Sequence, residues 1–376
     1  MTREKIKPRS DWQQKFEELG FHFHSLDGTY WDESVCYQFS SSEIDLIEEV
    51  TWKMHELCIK AVDYVITEQR FEHFALPDWF IEYAVDSWNA DDPTLFGRFD
   101  FRYDGINMPK LLEYNADTPT SLIEAAVAQW NWRQEVKPRA DQFNSLHERL
   151  IERWKEIRDH HENPVIHFAC VQGSDEDIGN VEYLRDTAIQ AGITTRQLFM
   201  EDIGWHDARE RFVDADNNNI SALFKLYPWE WIAREDFGPH MPVAGIPIIE
   251  PPWKVLMSSK AILAILWELN PGHPNLLPCY FDQNSKLPAQ FVKKPIYSRE
   301  GANVEIHTSR GTLAQPGTYG AEGHVYQAYA ALPDFDGNYP VIGSWIVGDE
   351  AAGMGIRENT QQITTNTSRF VPHYFT

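Results

Sequence analysis

Between residues 165 and 200 the chain reads strand, helix, strand, and that order constrains the fold more than any other feature. Val165 to Val171 is a compact apolar run, Asp177 to Ala191 carries a helical pattern closed by Gly192, and Thr194 to Met200 reads as a strand again. Two strands joined by a helix form a βαβ unit, and the residues on through Tyr227-Pro228-Trp229 extend it into a Rossmann-like lobe. Helical and strand-like stretches alternate elsewhere too, which predicts an α/β or α+β class. Ser42 to Ile66 places Ile44, Ile47, Val50, Met54, Leu57, Cys58, Ala61 and Val65 near helical spacing, the pattern of an amphipathic support helix. Ser259 to Leu269 reads as another helix, stopped by Asn270-Pro271-Gly272. Gln290–Ile296, Val304–His307, Val325–Ala331, Val341–Val347 and Ala351–Arg357 are expected to share a mostly antiparallel sheet. With 376 residues, 43% hydrophobic, the chain can bury a sizeable core. No repeat or low-complexity linker divides it, so one unit is expected, with lobes at about 1–164, 165–250 and 251–376.

Leu95–Tyr103 and Lys110–Asn115 read as two strands joined through the turn signal Asp104-Gly105. Side chains alternate along a strand. Arg98, Asp100 and Arg102 therefore share one face of the first strand, and Glu113 and Asn115 one face of the second. If those faces coincide, Asp100, Glu113 and Asn115 converge beside Arg98. Such oxygen donors suit Mg²⁺, which takes a few carboxylates together with waters and substrate phosphates, and an adjacent arginine can grip a phosphoryl oxygen. Ordinary salt bridges on a wet sheet face are the plainer reading of the same spacing. Thr118 to Trp130 then reads as a helix, with Pro119 in its first turn and Ser121-x-x-Glu124 as a capping box.

Four further segments can carry chemistry, each with a plainer alternative. Phe291-Val292-Lys293-Lys294-Pro295-Ile296 is a strand followed by the loop Tyr297 to Asn303, whose Gly301 would let backbone N–H groups cover phosphates; a simple turn has the same appearance. Lys260 stands near the start of a helix, where a cation costs about 0.3–1 kcal/mol unless a phosphate lies beside it. Asp175, Glu176 and Asp177 follow a strand of the βαβ unit, where ligands of α/β sheets bind. They can receive an amine, or serve only as a helix cap. Arg357, at a strand end in Gly355-Ile356-Arg357-Glu358, can neutralise a transferring phosphoryl group or simply face solvent.

Asp and Glu outnumber Lys and Arg 57 to 33, a net charge of −24. Such a surface repels nucleic acid and anionic lipid, so neither is an expected partner. It attracts cations, though solubility alone accounts for it. Cys36, Cys58, Cys170 and Cys279 form no C-x-x-C pair and no zinc spacing, usage that fits a reducing cytoplasm. Met1 to Asp11 lacks an apolar signal core, and no apolar run approaches the roughly 20 residues of a membrane span. A cytoplasmic protein is expected. The 14 tryptophans read as packing rather than as sugar-binding walls.

Taken together, Arg98-Phe99-Asp100-Phe101, Leu112-Glu113-Tyr114-Asn115-Ala116-Asp117-Thr118-Pro119-Thr120-Ser121-Leu122, Ser259-Lys260-Ala261-Ile262-Leu263, Val292-Lys293-Lys294-Pro295-Ile296, Gly343-Ser344-Trp345 and Gly355-Ile356-Arg357-Glu358 resemble, in order and spacing, the signatures of the glutathionylspermidine synthase family. The likeness is strongest to its short bacterial members described as acid–amine ligases. It implies a permuted ATP-grasp fold, with metal ligands preceding a nucleotide lobe. It implies phosphoryl stabilisation by Arg98, Mg²⁺ (two ions) on Asp100, Glu113 and Asn115, and ATP phosphate contacts from Lys260, Lys294, Glu300 and Gly301. Arg357 would close on the phosphates. Gln327, Ala328, Tyr329 and Ala330 would form the adenine hinge, with Gln362, Ile363 and Thr364 near the nucleotide. Thr118 stands where bifunctional members carry a serine near the glutathione site, and Asp175, Glu176 and Asp177 are the nearest match to substrate contacts. Those bifunctional members also have an N-terminal amidase domain; here the chain starts in the synthetase region, so no hydrolase activity is expected.

The activity implied is ATP-dependent amide formation between a small acid and a small amine through an acyl phosphate. It needs no protein nucleophile, in keeping with the lack of a convincing Cys–His or Ser–His arrangement. A silent nucleotide-binding regulator on the same fold is the alternative; a carbohydrate-active enzyme with paired carboxylates is a more distant one. No sequence feature sets an oligomeric state.

Overall fold

The computed structural model describes residues 1–25, 28–162, 164–365 and 368–376. Three sheets position the cleft. The first is antiparallel, with strands in the order Arg369–Val371, Glu350–Asn359, Tyr339–Val347, Phe96–Arg102, Lys110–Asn115. The second, also antiparallel, runs Cys279–Tyr280, His324–Ala328, Phe291–Pro295, Glu305–Thr308, Gly311–Ala314. The third is parallel, Ile248–Ile249, Ala222–Leu226, Ile166–Cys170, Thr195–Phe199. The last two strands of the third sheet flank helix Asp175–Gln190, so the βαβ unit forms as the apolar pattern predicts.

The five strands expected to share one sheet are divided between two. Tyr339–Val347 and Glu350–Asn359 leave the 279–328 meander and pair instead with the hairpin at 96–115. Both faces of Tyr339–Val347 are buried almost throughout, and a strand covered on both sides carries no alternation that would name its neighbour.

Helix Ser41–Thr67 opens with a capping box between Ser40 and Glu43 and packs on Tyr339–Val347 and Glu350–Asn359. Its buried face matches the expected apolar set except for Leu57, which is only partly covered. Thr51 hydrogen-bonds Ser344 at 2.7 Å across that contact. Helices Leu146–His160 and Asp175–Gln190 build a second core with the parallel sheet.

Two expected helices start differently. The Thr118–Trp130 pattern yields a π-helical turn, Ile123–Ala128, continued by Gln129–Val136. Pro119 lies outside it, and Ser121 adopts φ +80° instead of capping. The N–H of Leu122 donates to Asn180 Oδ1 at 2.9 Å, and Glu124 accepts the Tyr30 hydroxyl at 2.5 Å, so tertiary partners replace the local box. The Ser259–Leu269 pattern splits because Ser259 is extended. Helix Lys254–Ser258 ends there, and Ala261–Leu269 begins after Lys260, whose N–H donates to Ile296 O at 2.9 Å. No helix among the described residues is long and apolar enough to cross a membrane.

Candidate active site

The hairpin register pairs Arg98 with Asn115 and Asp100 with Glu113, so the four side chains named from strand alternation share one face. Asp100 is gripped twice: Arg98 Nε donates to Oδ1 at 3.0 Å, and Arg357 Nη2 to Oδ2 at 2.8 Å. Arg357 therefore faces the cleft rather than open solvent. Arg98 also donates from Nη1 to the Thr120 carbonyl at 2.7 Å and lies 5.7 Å from the Trp345 ring centre. The strand facing Asp100 supplies Gly343, where an added Cβ would come within 3.0 Å of Arg98 Cδ. A glycine is what leaves the arginine its path.

Lys260 Nζ stands 3.2 Å from Glu113 Oε2 and donates to Ser298 O at 2.8 Å. Lys294 Nζ donates to Leu112 O and to Gln327 Oε1, both at 2.8 Å. Both lysines are buried, their amines pinned by carbonyls. Burial alone would raise the Glu113 carboxyl; Lys260, Lys294 and Arg357 outweigh it and hold the group well below its usual range. Burial likewise brings the Lys294 amine down to about 8, against the attraction of Glu113.

A cavity of about 100 Å³ adjoins Lys294. Gln327, Ala328, Tyr329 and Ala330 line it from the end of strand His324–Ala328, and Gln362, Ile363 and Thr364 from the opposite segment, over Val292 and Ile306. Gln362 Oε1 accepts the Leu332 N–H at 2.8 Å and the Tyr329 hydroxyl at 3.2 Å. The Gln327 side chain is committed to Lys294 and to Leu111 O, the latter at 3.1 Å. It therefore helps to fix the Lys294 amine at the edge of the cavity. Glu113, Gly301 and Thr364 are shared with a larger cavity of about 300 Å³. Gly301, at φ +70°, lets its loop pass the Thr364 carbonyl; a Cβ there would sit 2.6 Å from that oxygen.

The larger cavity is lined by Arg98, Asn115, Thr118, Glu176, Asp177, Glu300 and Arg357. Burial pushes the carboxyls of Glu176 and Asp177 up, each helped or opposed by neighbours in turn: Asp177 raises Glu176 further, and Ser174 lowers Asp177. Ser174 caps the helix by accepting the Asp177 N–H at 3.2 Å, so capping and cleft lining coexist in this segment. Asp175 does not join them. It is exposed and outside the cavity, because successive helical residues point about 100° apart.

The sequence reading passed over Arg299. Its Nη1 donates to Thr118 Oγ1 at 2.7 Å, its Nη2 to Glu230 Oε1 at 3.0 Å, and its buried Nε has no partner among the described residues. In the sequence its loop, Tyr297 to Asn303, stands out for Gly301 and its backbone donors, and nothing local marks the arginine. Tyr227 and Trp231, beyond strand Ala222–Leu226, complete the wall.

Among the described residues no three His, Cys, Asp or Glu side chains cluster closely enough to hold a metal by themselves. Two carboxylates and an amide from facing strand positions nevertheless fit Mg²⁺, which keeps several ligand places for water and phosphate.

A family model described as glutathionylspermidine synthase preATP-grasp matches residues 3–376. The chain belongs to this family. A Haemophilus influenzae relative named "Putative acid–amine ligase" is 43% identical over 384 residues, covering 98% of this chain and 97% of its own. Trypanothione synthetase of Crithidia fasciculata is 26% identical over 349 residues, 85% of this chain and 53% of the relative. The bifunctional glutathionylspermidine synthetase/amidase of Escherichia coli is 26% identical over 364 residues, 88% and 58%. The chain thus spans little more than half of the latter two. A glutathione synthetase-like effector of Globodera pallida superposes with a TM-score of 0.58 at 10% identity, over 91% of this chain and 89% of that one. The glutathionylspermidine synthase family member described here accordingly has a mixed α/β, ATP-grasp-type fold.

Proposed function

We propose that the protein is an ATP-dependent carbon–nitrogen ligase that joins the carboxylate of a small acid to a small amine through an acyl phosphate. The observation that carries this reading is the distribution of charge in one cleft. Arg98 and Arg357 face the same cavity as Glu176 and Asp177, and Glu113 joins that cavity to the one beside Lys294. Phosphate-seeking cations and amine-seeking carboxylates are thereby within reach of one substrate pair.

In the first step a carboxylate oxygen of the acid attacks the γ-phosphorus of ATP. The bond to the bridging oxygen breaks, and ADP leaves. Lys294 and Lys260 hold the nucleotide phosphates, and the loop carrying Glu300 and Gly301 covers them. Gln327, Ala328, Tyr329, Ala330, Gln362, Ile363 and Thr364 surround the adenosine. Arg98 and Arg357 take up charge that develops on the transferring phosphoryl oxygens, where fixed donors are worth most. Asp100, Glu113 and Asn115 would hold Mg²⁺, which when bound neutralises phosphate charge. In the second step the attacking amine nitrogen, in its neutral form, adds to the acyl carbon, the bond to phosphate breaks, and the proton lost by nitrogen passes to the departing phosphate or to water. Thr118 faces the acid; Glu176 and Asp177 receive the cationic amine. Asp175, on the outside of its helix, has no part.

A peptide of the glutathione kind and a polyamine are the proposed substrates, supported by the names of the relatives and by the acidic lining. ADP release and amide mass, measured with glutathione and spermidine and then across an array of acids and amines, test the reading. ADP formation that needs both an acid and an amine is expected. No release above the ATP-only background with any pair would overturn it.

A further inference from the structure

One charged pair near the cleft is completely enclosed. Lys225 on strand Ala222–Leu226 and Asp117, two residues beyond strand Lys110–Asn115, meet at 2.7 Å with side chains 0% and 1% exposed. Their remaining capacity is filled. Lys225 Nζ also donates to Tyr227 O at 2.9 Å and lies 4.2 Å from the Trp229 ring centre. The second Asp117 oxygen accepts the Trp229 backbone N–H at 2.8 Å. Burying two charges is expensive, and an apolar pair of similar volume would join the elements at least as well. Stability alone therefore does not account for the pair.

Its position does. Asp117 begins the turn that leads to Leu122, and two of the three guanidiniums that line the larger cavity rest on that turn. Arg299 donates to Thr118 Oγ1 and Arg98 to the Thr120 carbonyl, each at 2.7 Å. The turn also holds Ser121 at φ +80°, a conformation that costs a non-glycine residue about 1–3 kcal/mol and persists only where the surroundings over-determine it. Asn180 Oδ1 ties the far end through the Leu122 N–H; Asp117 ties the near end.

We infer that Lys225 and Asp117 are positioning residues: their pair bolts the 117–120 turn to the parallel sheet, and the turn aims Arg98 at the transferring phosphoryl group and Arg299 at the acid beside Thr118. A carboxylate held by an ammonium on one oxygen and a backbone N–H on the other has its orientation fixed from two sides, which a methyl group in the same space would not provide. What the arginines act on rests on the proposed ligase reading; the bolting of the turn does not.

The double variant Lys225→Met/Asp117→Asn tests this, because removing both charges leaves no uncompensated ion and preserves an acceptor for Trp229. It is expected to fold and to bind Mg-ATP within about threefold of wild type, as the smaller cavity contains none of these residues. A misplacement near 1 Å can cost about 10²-fold in rate, so kcat should fall about ten- to a hundredfold with KM for ATP held. Hydrogen exchange provides an arm that needs no substrate: amides of Thr118, Thr120, Ser121 and Leu122 should exchange at least about tenfold faster than in wild type. Unchanged exchange of those amides overturns the inference, as does a folded double variant with wild-type kcat. If wild type shows no ligation, the ligase reading falls, and the exchange arm still decides this one.

Discussion

Two kinds of ion pair lie within a few residues of each other in this molecule. Glu250 and Lys254 meet at 2.8 Å with side chains 0% and 1% exposed, and each has further partners nearby. Glu250 accepts the N–H groups of Leu95 and Phe96, and Lys254 donates to Phe96 O at 2.6 Å. The cleft pairs, Asp100 with Arg98 and Arg357 and Glu113 with Lys260, use the same chemistry along the walls of adjoining cavities. The first kind is closed on itself and fixes where strand Phe96–Arg102 begins. The second kind, on that strand and its neighbours, consists of the charges to which the proposed ligase reading assigns phosphate and metal. Contact with a cavity, rather than the identity of the charges, separates the two kinds of pair.

That contrast can be broken most forcefully at the closed pair. Lys254→Ala leaves Glu250 uncompensated and should cost about 3–5 kcal/mol of stability, seen as a lower urea midpoint. A loss under about 1 kcal/mol, the level of surface pairs, would erase the distinction. Arg98→Ala should act differently, lowering kcat by about 10²–10³ with little change in KM for ATP, and Arg98→Lys should rescue poorly because a point charge cannot copy the planar fork. If only ATP affinity changed, the catalytic role would pass to Arg357.

Glu124 sharpens the comparison, because it is a buried carboxyl with no cation on it. Burial, then the nearby Glu176, push it up to about 8, and its Oε2 has no partner among the described residues. The folded protein thus keeps a proton between about pH 4.5 and 8 that the unfolded chain has released, so stability falls with rising pH across that window. Glu124→Gln removes this slope and should be the more stable form above about pH 8, by a few kcal/mol at most. Urea unfolding at about pH 5 and pH 8.5 reads the difference, and parallel behaviour of the two proteins would mean that Glu124 ionises freely. Least in size, Lys294→Ala and Lys260→Ala should each weaken Mg-ATP binding about tenfold, the loss of one charge-assisted contact. Unchanged titration isotherms in both would remove the lysines from the nucleotide site.

The sequence disclosed those features that depend on local period. Alternation along 96–102 and 110–115 placed Arg98, Asp100, Glu113 and Asn115 on one face, and the register agrees. Helical spacing found the buried face of Ser41–Thr67. What stayed hidden depends on partners distant in the chain. Nothing in Tyr339–Val347 states that its neighbour is Phe96–Arg102, and the cap signals at Pro119 and Ser121 were outvoted by Asn180 and the cleft arginines. Arg299 was missed because only the folded loop points it at Thr118. A usable signal did exist for Lys225: one lysine inside the apolar run Ala222–Leu226, all five residues buried, calls for a buried counter-charge.

The pairing of Phe96–Arg102 with Tyr339–Val347 also sets a timetable for biosynthesis. Arg357 and Asp100 are 257 residues apart, and at about 5–20 residues per second the ribosome needs on the order of 10 to 50 seconds to deliver the second after the first. Throughout that interval a strand carrying Phe96, Phe99 and Phe101 has one unpaired edge, the kind of surface that adheres to other nascent chains. Slow codons or a missing holdase between those two points would therefore be felt in yield of the protein well before they were felt in its catalytic constants.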